Sequence, residues 1–284
     1  MDIITPVYGG RATVTFKESR HIYTVAVPEK GISDLWQPSV TGILRTLSKG
    51  DFLTGWAIGK VIDKVKQLLE PVSAKTSITF DLLCAVLEAS KTAHDISRNE
   101  SAAMGTLVHN YLEVELKHRS GLCAPPLLPS DIREDFRKPV ELAIGAGLKF
   151  FNSHTIKLVQ AEAPRWSPTF GYIGTGDLIA EVDGELSVID YKTSKRLYPT
   201  VFLQLAAYQA AYEEEFPGPR IQKRIAVNIG LDGHLEEKER DNVTYADDFQ
   251  CFMSLLTAWR WARVNDFFKP QSAPLVVGPL AQEM

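Results

Sequence analysis

Polar and apolar positions alternate at the start of the chain, in Thr13-Val14-Thr15-Phe16 and again from His21 to Val27, with charged residues between the two runs. Period-two alternation broken by a polar turn predicts a β-hairpin. From Pro38 to about His118 the period lengthens to that of a helix, with segments near Ser39 to Leu47, Phe52 to Leu69, Phe80 to Arg98 and Ala102 to His118. Gly121 to Pro129 holds three prolines and a glycine and reads as a loop. The next helix is expected over Ser130 to Ser153, with Ser130 as its N-cap and acidic residues in its first turn.

The second half changes character. Strands are expected over Ile156 to Ala163, Tyr172 to Val182 and Leu186 to Tyr191, the last two joined by a tight turn at Asp183-Gly184. A helix follows from Thr200 to Phe216, entered at Pro199 and left at Pro217-Gly218. Two more strands, Arg224 to Gly230 and His234 to Arg240, flank Asp232-Gly233, and a long helix runs from Phe249 to Phe267. The fold class is therefore α/β, a mixed sheet flanked by helices with a helical N-terminal elaboration. The division expected is residues 1–100 for the hairpin and helical elaboration, 101–268 for the core and 269–284 for a loose, proline-rich tail.

Composition narrows the class. At 284 residues, 45% hydrophobic and 23% charged, the chain has the make-up of a folded globular protein. No apolar run approaches the roughly 20 residues that cross a bilayer, and Met1 to Pro6 lacks the regions of a signal peptide, so the expected location is the cytoplasm, with no membrane partner. Cys84, Cys123 and Cys251 are too few and too scattered for a disulfide framework or a four-thiolate site and are expected to be buried small hydrophobes. A net charge of −4 counts against a nucleic-acid binder, although a local basic groove overrides a total.

Candidate chemistry concentrates between Gly171 and Lys195. Asp177 opens one apolar strand and Asp190 and Lys192 close the next, so the turn at Asp183-Gly184 brings all three together. Two residues apart on a strand, Asp190 and Lys192 share one face of the sheet while Tyr191 takes the other. An isolated Asp-x-Lys reads as a weak, solvated pair. With Asp177 alongside, burial of three charges asks for a cation, and magnesium with its preference for hard oxygen ligands is the economical choice. A lysine beside such an ion would orient or deprotonate the attacking water, or offset charge growing on a phosphate.

On these residues the chain resembles the PD-(D/E)XK nuclease superfamily, in particular its RecB-like exonuclease branch, over roughly Gly105 to Tyr208. The resemblance implies a restriction-endonuclease-like fold, metal ligands at Asp177 and Asp190, a catalytic Lys192, and the backbone carbonyl of Tyr191 in the metal shell. It also implies that Gly105-Thr106-Leu107-Val108-His109 is the branch's upstream helix, making His109 a further ligand or organiser; alone, His109 reads as structural. Glu162 matches a carboxylate ahead of the Gly174-Thr175-Gly176-Asp177 element, its alternative being an exposed strand-end glutamate. Gln204 and Tyr208, four apart on one helical face, match the glutamine and tyrosine that border the site, where the alternative is a core tyrosine and a capping glutamine.

Arg165, Trp166, Lys195 and Arg196 flank the site in sequence, and Arg165 and Lys195 are expected to bind substrate phosphates. Trp259, Arg260, Trp261 and Arg263 offer a second surface; both sets read equally as core tryptophans with solvated arginines. The cofactor expected is one or two Mg²⁺ or Mn²⁺ ions. There is no Gly-x-x-x-x-Gly-Lys-Ser/Thr loop, so no nucleotide is expected, and three cysteines do not suit the iron–sulfur cluster of some branch members. The partner expected is DNA, as single strands or duplex ends, with a recombination or single-strand-binding protein and an oligomer as further options. The activity implied is DNA exonuclease in recombination, repair or phage replication; the alternatives are a structure-specific endonuclease and a non-catalytic DNA-end binder.

Overall fold

The computed structural model describes residues 2–47, 50–70 and 79–265. The N-terminal strands β1 (Asp2–Val7), β2 (Ala12–Lys17), β3 (Ile22–Val27) and β4 (Ile32–Gln37) form one antiparallel sheet in chain order. The predicted hairpin is its centre, β2 and β3; the two edge strands are additional. Helices α1 (Val40–Leu44), α2 (Gly50–Leu69), α3 (Phe80–Ser90), α4 (Ala93–Arg119) and α5 (Glu134–Ser153) follow. The expected segment from Phe80 to Arg98 is broken at Lys91-Thr92, and its second half fuses with the next segment into the 27-residue α4. The boundary expected at residue 100 therefore lies inside a helix. Ser130 is not the N-cap of α5; the helix begins at Glu134 with Arg133 as cap, and Glu134 and Asp135 supply the first-turn acids.

The second sheet has the order β5 (Ile156–Ser167), β6 (Tyr172–Val182), β7 (Glu185–Lys192), β8 (Lys223–Ile229), β9 (Leu235–Asp241). Only β7 and β8 run parallel, because α6 (Thr200–Glu215) crosses between them. Helix α7 (Tyr245–Val264) closes the described chain, starting four residues before the expected Phe249. The predicted end of that helix at Phe267 and the tail 269–284 lie outside the described residues. Asp183 and Gly184 both have positive φ, 51° and 88°, which is the I′-type turn a two-residue hairpin between twisted strands requires.

Helices lie on both faces of this sheet. On one face α1, α6 and α7 bury Ile43, Leu205, Tyr208, Phe252 and Leu256 against Ile179, Val188 and Ala226. On the other, α4 and α5 bury Val108, Leu112, Val140 and Phe150 against Leu178, Ala180, Ile189, Tyr191 and Val227. The expected α/β class, a mixed sheet flanked by helices, is observed. The first sheet joins the second through Val14, Val25, Trp166 and Ile173, with a hydrogen bond shared by the Tyr23 hydroxyl and Thr175 Oγ1 at 2.9 Å. Cys123 and Cys251 are exposed and Cys84 is half-buried, so the expectation of buried cysteines fails: each sits on an outward helix or loop position. No helix among the described residues is long and apolar enough to cross a membrane.

Two glycines in α5 separate packing from propensity. A Cβ on Gly147 would come 2.6 Å from Cδ1 of the fully buried Leu112, whereas a Cβ on Gly145 meets nothing within 4 Å. Gly147→Ala is expected to lower stability by about 1–3 kcal/mol through overpacking, and Gly145→Ala to raise it by about 0.5–1 kcal/mol through helix propensity. Urea denaturation of the two variants checks both signs.

Candidate active site

The strand registers converge on one point. Between β5 and β6 the pairs Ala161↔Leu178 and Ala163↔Gly176 set Glu162 opposite Asp177. Between β6 and β7 regular pairing ends at Leu178↔Ile189, and the next step along the strands sets Asp177 beside Asp190. Here the ladder opens, and the Tyr191 amide donates to Asp177 Oδ2 at 2.7 Å in place of a strand carbonyl. Glu162 itself sits at φ 45°, a left-handed conformation that costs a non-glycine residue about 1–3 kcal/mol and that concentrates at functional sites.

Helix α4 reaches the same point from the other face of the sheet. Its Gly105 approaches Thr193, just past the end of β7, so closely that a Cβ would stand 2.9 Å from Thr193 Oγ1. One turn later His109 Nδ1 lies 3.6 Å from Asp177 Oδ2 and 3.9 Å from Glu162 Oε1. His109, Glu162 and Asp177 each offer a ligand atom within 4.8 Å of the others. A hollow of about 10 Å³ between them, bounded also by Glu113, has room for about one small ion or water. Glu113 was not picked out in the sequence. Its position four residues after His109, on the same helical face, is the signal that could have found it, and its charge is met by Lys117.

Asp190 is 1% exposed, and its Oδ2 lies 2.5 Å from Lys192 Nζ. No hydrogen bond reaches its Oδ1 among the described residues. Lys192 Nζ also donates to Gln204 Oε1 at 3.2 Å, and Gln204 Nε2 donates to the Tyr208 hydroxyl at 3.0 Å. Tyr208 presses on the backbone of Gly174, where a Cβ would come 2.8 Å from its Cε1. Gly174, three residues before Asp177, is therefore required by contact with a ring and by no turn. Asn228, paired in register with Lys192 on β8, is fully buried with neither amide atom hydrogen-bonded among the described residues. Nothing in the sequence pointed to it.

Burial dominates the electrostatics, with the neighbouring charges next. Burial, and then the Asp177 charge, push the Glu162 carboxyl up to about 8. Burial lifts Asp190 to about 6 despite Lys192. Asp177 is buried too, but His109, Lys192 and the Tyr191 amide together outweigh that cost and hold it below the usual carboxylate range. Burial opposes charge on His109 and on Lys192; Asp177 and Asp190 respectively prevail and keep both pKa values raised. A nitrogen, two carboxylate oxygens at close range and a third carboxylate with an unpartnered oxygen form a donor set that suits a hard divalent cation.

Of the expected substrate-binding residues, Gln204 and Tyr208 border Lys192, and Lys195 is exposed on the loop after β7. Arg165 corrects the sequence reading. It is 1% exposed, with its guanidinium 5.4 Å from the centre of the Tyr212 ring, because the first sheet covers this end of β5. In the second set only Trp259 is half-buried: Arg260 donates to the Phe170 carbonyl at 2.6 Å and Arg263 lies over the stacked rings of Trp36 and Trp259, yet both arginines and Trp261 are exposed.

A family profile described as the PD-(D/E)XK nuclease superfamily matches residues 84–265, from the middle of α3 to the end of α7. No curated protein matches the chain.

Two outcomes follow from the geometry. Glu162 keeps its proton up to about pH 8 and His109, whose pKa is raised, holds one as well, so a divalent ion must displace them, while Asp190 loses most of its own above about pH 6; affinity for Mn²⁺ should rise between pH 6 and 8 by about tenfold per pH unit for each proton displaced. Calorimetry in buffers of different ionisation enthalpy measures that release, and binding independent of pH would contradict it. Gly174→Ala should shift Tyr208 and lower kcat at least tenfold with little change in metal affinity, which steady-state kinetics and the same calorimetry check.

Proposed function

Because the chain belongs to the PD-(D/E)XK nuclease superfamily, we propose that it is a Mg²⁺- or Mn²⁺-dependent deoxyribonuclease of the RecB-like branch that hydrolyses phosphodiesters from a DNA end. The observation that carries this reading is the convergence of His109, Glu162 and Asp177 beside the Asp190–Lys192 pair at the opened end of β6 and β7. The placing of Gly105 and His109 on one side and Gln204 and Tyr208 on the other supports the branch assignment. We read the span from α4 to α7 as the catalytic unit, cytoplasmic work on DNA intermediates of recombination, repair or phage replication as its setting, and DNA as its partner.

In this reading His109, Glu162, Asp177 and Asp190, with the Tyr191 carbonyl, hold one or two ions. A bound ion would polarise the phosphate and acidify a water. Lys192 stays an ammonium, steered by Gln204 and Asp190, and meets the negative charge that grows on the phosphate. Tyr208 fixes Gln204, and through it the lysine. Lys195 meets the backbone of the strand at the exposed rim.

End-labelled linear single-stranded and duplex DNA, with circular controls, tests the proposal in Mg²⁺, Mn²⁺ and EDTA. Linear DNA should be lost in either metal and spared in EDTA. Lys192→Ala should reduce the rate by about 10²–10³-fold or more, the scale of losing one transition-state donor. Cleavage of the circles would replace the exonuclease by an endonuclease with the same site. Intact DNA under every metal would leave an end-binding protein.

A further inference from the structure

Beside Lys192, on the face of the sheet that carries α6, lies a cavity of about 410 Å³. This is within the size range of small-molecule sites, far larger than the hollow at His109. Its walls come from three places: Leu44, Arg45 and Leu47 at the end of α1 and just beyond it, Tyr198 on the loop after β7, and Val201 on α6. Lys192 and Gln204 form its inner end, so the cavity opens directly onto the catalytic lysine. Its lining is mostly apolar, with an aromatic ring on one wall and an exposed arginine at the rim.

We propose that this cavity is a nucleobase subsite that takes the single unpaired base next to the phosphate held at Lys192. The proposal rests on the nuclease reading. A phosphate seated at Lys192 carries its neighbouring nucleoside within a few ångströms, and this cavity is the roomy space that Lys192 lines. Leucine and tyrosine walls suit the flat face of a base, because stacking on such surfaces tolerates every base and needs no hydrogen-bond code. Arg45 at the rim supplies the cation that the next phosphate along the strand requires. With α1 on one side and α6 on the other, a base enters alone and its pairing partner is left outside. The substrate class is therefore a single-stranded segment or a frayed end, read without sequence preference.

The experiment is a set of identical short single strands, each carrying one abasic residue at a successive position, and the intact strand. Binding is read by fluorescence anisotropy with Ca²⁺ in place of Mg²⁺. One position should weaken binding by the parent protein about tenfold or more, the scale of one lost base stack. Thr41→Trp, which fills the cavity from an exposed rim position, should weaken the intact strand to the same degree and erase the abasic penalty. Leu47→Trp fills it from another exposed rim position and supplies the same readout should Thr41→Trp fail to fold. An abasic series that is flat within twofold in the parent, or a penalty that survives in the filled variants, overturns the subsite. Mn²⁺-dependent digestion by the same parent preparation separates the two readings: cutting with a flat series removes the subsite alone, and neither cutting nor binding removes both.

Discussion

Asp177 is the residue on which the rest of the site depends. It is paired by register with Glu162 on one side and set beside Asp190 on the other, so three carboxylates are forced to one end of the sheet. Carboxylates this close cannot all ionise without a cation among them. The protein meets the problem with two of its own: His109 faces Asp177, and Lys192 faces Asp190. Even so, Glu162 and Asp190 hold protons that exposed acids would have lost. A site in that condition is poised to exchange protons for a metal ion.

The fold explains why the charges meet where the backbone can tolerate them. Pairing of β6 with β7 ends at Leu178↔Ile189, and a side-chain carboxylate replaces the missing ladder partner of Tyr191. The opened end of the sheet is flanked by α4 on one face and α6 on the other, and each helix comes close by means of a glycine contact. Gly105 admits Thr193, and Gly174 admits the Tyr208 ring. His109 thus reaches the carboxylates from one side, and Gln204 and Tyr208 reach Lys192 from the other, with α1 closing the cavity beside them.

Much of this was legible in the sequence where one pattern had one reading. The span Tyr172 to Val182 is rich in apolar residues and is followed by Asp183-Gly184, and the strand and turn are observed as expected. The edge strands β1 and β4 were not visible because β1 contains Pro6 and β4 runs through Ser33-Asp34, signals that count against an interior strand and are tolerated at an edge. The break at Lys91-Thr92 escaped notice because helical periodicity continues on both sides of it. Arg165 read as a surface cation from its neighbours in sequence; its burial depends on a separate sheet some 150 residues away, joined at Trp166. The left-handed backbone at Glu162 and the unpartnered Asn228 follow from tertiary packing, which no local pattern encodes.

Whether these charges are gathered to hold a divalent cation is read by anomalous diffraction from crystals grown with Mn²⁺. A manganese peak is expected among His109, Glu162 and Asp177, with the free oxygen of Asp190 turned toward it. Crystals that hold no manganese at saturating concentration, or hold it only away from Asp177, would leave the cluster as a network of buried ion pairs with no metal role.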